Sequence, residues 1–205
     1  MNLDPNLKAL LHDLGVPPTR VLRRAQLPGD LWARGPAAVS TEDYFRFWEA
    51  IAAEGGDRSL AVEIGRAISV EHFNVPVFAA LSSPNLAIAA ERLATYKPLI
   101  GPMRLVVDAT KAGLSITSRW PAGARPPQLL AIVELVFWAA LTRIATRHAV
   151  RPTRVTVPEL PPDRDALADF FGLRMQKERK AAIRERVESA AKLLHIEDLL
   201  DRYPS

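Results

Sequence analysis

The chain has 205 residues, enough for one domain or one domain with an appendage, and 48% of them are hydrophobic against 24% charged. It contains no cysteine, which excludes disulfides, thiolate metal sites and cysteine nucleophiles together. Of its 27 basic and 23 acidic residues, seven basic and three acidic lie between Arg174 and Lys192; the 20 of each that remain make a neutral body, which argues against nucleic-acid binding across a broad face.

The N-terminus, Met1-Asn2-Leu3-Asp4-Pro5, has no basic region ahead of an apolar run. The longest apolar stretch, Leu129 to Leu141, includes Glu134 and is too short to span a bilayer. A cytoplasmic protein with no membrane partner is expected.

Leu7, Leu10, Leu11 and Leu14 recur at helical spacing over Asn6 to Leu14, and Gly15-Val16-Pro17-Pro18 ends that helix. A short helix over Thr19 to Gln26 follows, broken by Pro28-Gly29. Ser40 or Thr41 caps a third, whose apolar positions Tyr44, Phe47, Trp48 and Ile51 follow i, i+3, i+4, i+7. Arg58 to Ile68 is a fourth. Phe73 to Leu81 reads as a short helix entered through Pro76. Ser82-Ser83-Pro84 offers a serine cap with proline at the first helical position, opening a helix to about Tyr96 that Pro98, Gly101 and Pro102 stop.

The period then changes from helical to alternating. Met103 to Ala109 and Leu114 to Trp120 alternate around the turn Thr110-Lys111-Ala112-Gly113, which predicts a β-hairpin. Gln128 to His148 is the longest helix, apolar on nearly every side and therefore central; Glu134 is its expensive residue if it faces inward. His148 falls in its last turn, where a cation meets the negative end of the helix dipole. Thr153 to Val157 is a third strand, and Asp163 to Phe171 a short helix closed by Gly172. After Gly172, the spacing of Ile183, Val187, Ala190, Ala191 and Leu194 favours an amphipathic helix over Ala181 to Leu194, against a reading as two short strands.

The expected fold is α+β: mostly helical, with a small antiparallel sheet (hairpin 103–120 plus strand 153–157) packed on the long central helix 128–148. Residues 1–172 form one domain. Residues 173–205 form a basic segment, helical and packed on the same domain, whose interspersed Glu178, Glu185 and Glu188 fit a solvated face.

No catalytic or metal-binding constellation is present. His12, His72, His148 and His195 are scattered, with none at metal-ligand spacing. There is no nucleophile elbow and no phosphate-cradling loop, so neither an enzyme nor a cofactor is expected. The informative constellation is aromatic. Phe73, Phe78, Tyr96, Trp120, Phe137 and Trp138 lie on elements expected to face one another, with His72, Tyr96, Arg104 and Arg119 as polar groups nearby; these are the candidate ligand-binding residues. The space is expected between the Trp138 helix and the Trp120 hairpin.

Several strings taken in order resemble a known family. Leu14-Gly15-Val16 is followed by Val21-Leu22-Arg23-Arg24-Ala25-Gln26-Leu27-Pro28. Phe78-Ala79-Ala80-Leu81-Ser82-Ser83-Pro84-Asn85-Leu86 precedes Ala90-Glu91-Arg92-Leu93. Pro126-Pro127-Gln128-Leu129, Arg151-Pro152 and Phe170-Phe171-Gly172 complete the series. From Leu7 to Gly172 the chain is similar to the arabinose-binding-domain-like N-terminal sensor of AraC-type transcription regulators. The resemblance implies a domain that binds a small effector and passes occupancy to a DNA-binding unit. The aromatic content suggests a partly apolar effector, and a homodimer is a further expected partner. Family members continue into two helix-turn-helix units, which the 33 residues after Gly172 cannot hold, so DNA contact is expected only through a unit absent from this chain. The alternative is a stand-alone protein-interaction module that uses the basic tail and binds no small molecule.

Overall fold

The computed structural model describes residues 1–33, 35–111 and 113–178, and the backbone of residues 193–196. A two-residue strand, β1 (Asn2–Leu3), pairs antiparallel with β2 (Ala37–Ala38), a pairing too short for sequence periodicity to reveal. Between them stand α1 (Pro5–Asp13) and α2 (Pro18–Arg24). Asp4 starts α1 by accepting the Asn6 amide at 2.9 Å, and Pro5 fills the first turn, where its missing N–H costs nothing. Helix α3 (Thr41–Gly55) opens on a capping box: Ser40 Oγ accepts the Asp43 amide at 3.0 Å and the Asp43 carboxylate accepts the Ser40 amide at 3.4 Å. Its Tyr44, Phe47, Trp48 and Ile51 are all buried, as the spacing predicts.

There follow α4 (Leu60–Ala67), a 3-10 turn (Val70–His72), α5 (Val75–Leu81) and α6 (Leu86–Ile100). Two expectations are corrected here. The cap of α6 is Asn85, whose Oδ1 accepts the Ile88 amide at 3.0 Å; the Ser82 and Ser83 hydroxyls instead donate to carbonyls of the preceding helix. Helix α6 also runs through Pro98 to Ile100 rather than stopping near Tyr96, because a proline in the last turn removes only one intrahelical hydrogen bond.

The hairpin of β3 (Arg104–Thr110) and β4 (Gly113–Arg119) forms as predicted, with Arg104 opposite Arg119. The chain continues through α7 (Gln128–Thr146), β5 (Arg154–Val157), α8 (Arg164–Phe171), β6 (Gln176–Lys177) and β7 (Leu193–Ile196). Helix α7 ends earlier than expected: Arg147 turns left-handed at φ 56°, which leaves His148 outside the last turn. Gly172, at φ 75°, closes α8 in the expected manner.

The fold is mostly helical α+β, with a five-stranded sheet ordered β3-β4-β7-β5-β6. The hairpin and β5 are not neighbours. Strand β7 lies between them, antiparallel to both, with Leu193 opposite Thr117 on one side and Thr156 on the other. Strand β6 pairs parallel with β5, so the sheet is mixed. The helix expected over Ala181 to Leu194 is thereby corrected at Leu193 and Leu194, which are strand; residues 179–192 lie outside the described residues. The physical reason is non-local. A local helical period sets a preference of tenths of a kilocalorie per residue, and two open strand edges offer a full ladder of hydrogen bonds in its place.

Helix α7 buries 12 of its 19 residues and packs against α4 and α3. Sheet residues Leu105, Leu114, Ile116, Val155 and Val157 belong to the same hydrophobic cluster. Among the described residues α7 is the one helix long and apolar enough to cross a membrane, longer than the apolar stretch read from sequence; two thirds of its apolar window is buried inside the fold.

Candidate functional site

A partly open cavity of about 130 Å³ lies where α1, α3, α4, α5 and α6 converge on one face of α7. Leu7 and Leu10 of α1, Ile64 of α4, Val77 of α5 and Val133 of α7 supply aliphatic wall. Tyr44, Trp48, Phe73 and Phe137 supply rings, with Phe73 and Phe137 edge to face at 6.5 Å.

Two charged side chains meet in it. Lys97 Nζ of α6 lies 2.7 Å from Glu134 Oε2 of α7, and the two side chains are 7% and 9% exposed. The contact is an ion pair by distance but is not aligned as a hydrogen bond, since Glu134 Oε2 has no hydrogen-bond donor. Among the described residues neither group has a second protein partner, although the ammonium carries three donors and the carboxylate two acceptor oxygens. The Lys97 ammonium also lies 6.0 Å from the Phe137 ring centroid. Trp48 Nε1 is buried without an acceptor. Burial pushes the Tyr44 phenol above its ordinary value; the Glu134 carboxylate adds to that rise and the Trp48 indole opposes it.

The rim is polar too, but its polar groups are already engaged. Asp4 caps α1 and Asn74 caps α5, accepting the Val77 amide at 3.2 Å. Asn6 donates to the Phe73 carbonyl at 3.1 Å. The Ser69 amide donates to His72 Nδ1 at 3.2 Å, which puts the ring proton on Nε2, where it reaches Asp13 Oδ2 at 3.2 Å. His72 therefore ties the 3-10 turn to α1. Deeper in the cavity, Lys97, Glu134, Trp48 and Tyr44 present polar atoms toward the space.

The structure brings His72, Phe73 and Phe137 together at this cavity. The remaining sequence candidates lie elsewhere. Trp138 is fully buried beside Phe137, with ring centroids 6.1 Å apart, but does not line the cavity. Phe78 packs on Phe73 and is half exposed; Tyr96 is exposed on α6. Trp120 is buried against Phe45 and, with Arg104 and Arg119, borders a separate open recess at the base of the hairpin. The expected space between Trp138 and Trp120 is thus displaced to the helical side of α7. The reason is the i, i+1 relation of Phe137 and Trp138, which turns their rings to different faces of one helix.

Sequence reasoning missed Lys97, Tyr44 and Trp48. Glu134 carried a signal, as a carboxylate in an apolar helix that needs a partner. Tyr44 and Trp48 were legible as one buried face. Nothing local marked Lys97, because its burial depends on a helix that begins 31 residues later. Larger recesses exist at the hairpin base and between α3, α4 and the start of α7, both more open, and a recess of about 200 Å³ between α5, α6 and the end of α7 is no more open than the cavity; none of the three is lined by a buried ion pair.

Residues 15–186 match the family model of the arabinose-binding domain of AraC transcription regulators, N-terminal part. No curated protein sequence matches the chain. Among solved structures, the transcriptional regulator CdpR from Pseudomonas aeruginosa superposes with a TM-score of 0.51 at 12% identity, over 95% of this chain and 57% of that one. The chain thus spans a little over half of that regulator's length. A Tt H-NOX protein with two substitutions superposes with a TM-score of 0.53 at 11% identity, over 99% of this chain and all of that one. At these identities the two superpositions speak for the fold alone.

Proposed function

The chain belongs to the family of arabinose-binding domains at the N-terminus of AraC transcription regulators, and from that premise we propose that the cavity around Lys97 and Glu134 is its effector site. The effector is small and partly apolar. Its apolar part packs on Phe73, Phe137 and the aliphatic wall, and its polar part meets Lys97, Glu134, Trp48 and Tyr44. The single observation that carries this reading is the pair of buried, under-partnered charges, with the unpaired Trp48 indole on the same wall, facing a largely apolar space. The volume suits a compact ligand: an apolar cavity of roughly 150 Å³ in another protein accommodates benzene.

Occupancy would reach the rest of a regulator through α6. Lys97 sits in its last turn, and Gly101 and Pro102 lead directly from it into β3. A ligand that binds one position of this turn better than another shifts the balance between them. Delivery of that shift to a separate DNA-binding unit, homodimer formation and a cytoplasmic site of action belong to the same reading.

Thermal melting of the chain against a panel of small metabolites tests it. An effector at a hundredfold its Kd raises stability by about 2.7 kcal/mol. Val133→Phe, which fills the cavity from α7, abolishes the shift. A shift that survives in a folded Val133→Phe variant, or no shift with any compound, overturns the assignment.

A further inference from the structure

We propose that the cavity takes a compact zwitterion, an α-amino acid with a branched aliphatic side chain; this rests on the effector-site reading above. The charge balance of the site carries the inference. Lys97 and Glu134 neutralise one another, both side chains being largely shielded from water. A ligand that brought a carboxylate alone would set two anions beside one ammonium, with Asp4 a further anion on the rim. A ligand that brought an amine alone would set two cations beside one carboxylate. Either leaves an uncompensated charge where water is scarce, the costliest state a buried group can occupy.

A zwitterion keeps the sum at zero. Its carboxylate meets the spare donors of the Lys97 ammonium, and its ammonium meets the Glu134 carboxylate, whose Oε2 has no hydrogen-bond donor among the described residues. An α-amino acid holds its two charged groups on one carbon, and the protein's pair is 2.7 Å apart, so the four groups can form a closed square of alternating sign. Inside the polar rim the remaining wall is mostly apolar: Leu7, Ile64, Val77, Val133 and the faces of Phe73 and Phe137. A volume of about 130 Å³ is a little below the roughly 150 Å³ that holds the six non-hydrogen atoms of benzene, and the cavity is partly open, so the smaller valine fits better than leucine.

Calorimetric titration of the chain with L-valine, L-leucine, 4-methylpentanoate, 3-methylbutylamine and toluene tests this. Valine or leucine binds, and the acid and the amine, each lacking one charge of leucine, bind at least about tenfold more weakly. The double variant Lys97→Met/Glu134→Leu, with its helical circular dichroism intact, loses leucine and keeps toluene. Binding of the acid or amine as tight as that of leucine, or leucine binding that survives the double variant, overturns the zwitterion and leaves the cavity reading standing. Toluene binding without amino-acid binding does the same. If none of the five binds, the zwitterion falls, and the cavity reading is decided by the melting panel with Val133→Phe.

Discussion

Gly65 of α4 lies against Val136 of α7 with no room for a side chain between the two backbones: a Cβ at Gly65 would collide with Val136 Cγ1 and come within 2.8 Å of Phe170 Cζ. This close approach sets α4 on α7 and so fixes one wall of the cavity, since Ile64 and Val133 project from the same two helices.

Gly65→Ala therefore pits two effects against each other. Alanine favours a helix by about 1 kcal/mol over glycine. Overpacking a tight interior costs about 1–3 kcal/mol, and here the neighbours are a β-branched side chain and a ring held from both sides. The packing term wins, and the urea midpoint falls. A midpoint equal to or above wild type would show that the two helices separate without penalty.

The Lys97–Glu134 pair gives a second prediction. Removing one partner strands the other charge, so Lys97→Met costs about 3–5 kcal/mol. Adding Glu134→Leu to it restores most of that loss, because two apolar side chains of similar volume suit this wall. The double-mutant cycle in urea reads the coupling. Additive losses would mean that the two side chains do not depend on one another.

Tyr44 makes stability depend on alkaline pH. Its phenol is raised above the ordinary value chiefly by burial, so the fold holds the neutral form after the unfolded chain has begun to ionise. That contribution is fully present below about pH 10 and is lost as pH rises through it toward the folded value. Tyr44→Phe should flatten the fall of the urea midpoint between about pH 9 and 11. An unchanged slope would place the phenol in water.

Glu54 does the opposite at acid pH. Arg24 Nε and Arg20 Nε each lie 2.8 Å from its carboxylate, joining α2 to α3, and its side chain is 4% exposed. The Arg24 hydrogen bond, with the neighbouring arginine charges, holds the carboxyl below its ordinary value of 4.5. Its contribution is present above the unfolded value and lost as pH falls through the folded one. Glu54→Gln should lower stability at neutral pH and lose less than wild type on acidification. Parallel acid limbs would show the pair to be immaterial.

Much of the fold was legible because it is local. The Ser40 cap of α3, the Gly172 close of α8, the switch from helical to alternating period at Met103 and the buried face of α3 are each set by residues within a few positions of one another. What escaped were pairings made at a distance. Strand β7 joins β4 to β5 although its own period reads as helix, and β1 pairs with β2 across 34 residues.

The candidate site divides along the same line. The amino-acid order by itself determined that α7 is central, that Glu134 within it requires a partner, and that Phe73 and Phe137 belong to one apolar neighbourhood. Only the tertiary structure decided that Lys97 is that partner and that Phe137, rather than Trp138, faces the open space. It also decided that His72 is occupied in joining α1 to the 3-10 turn. A side chain's type states what it needs, and the crossing of helices far apart in sequence decides which group meets that need.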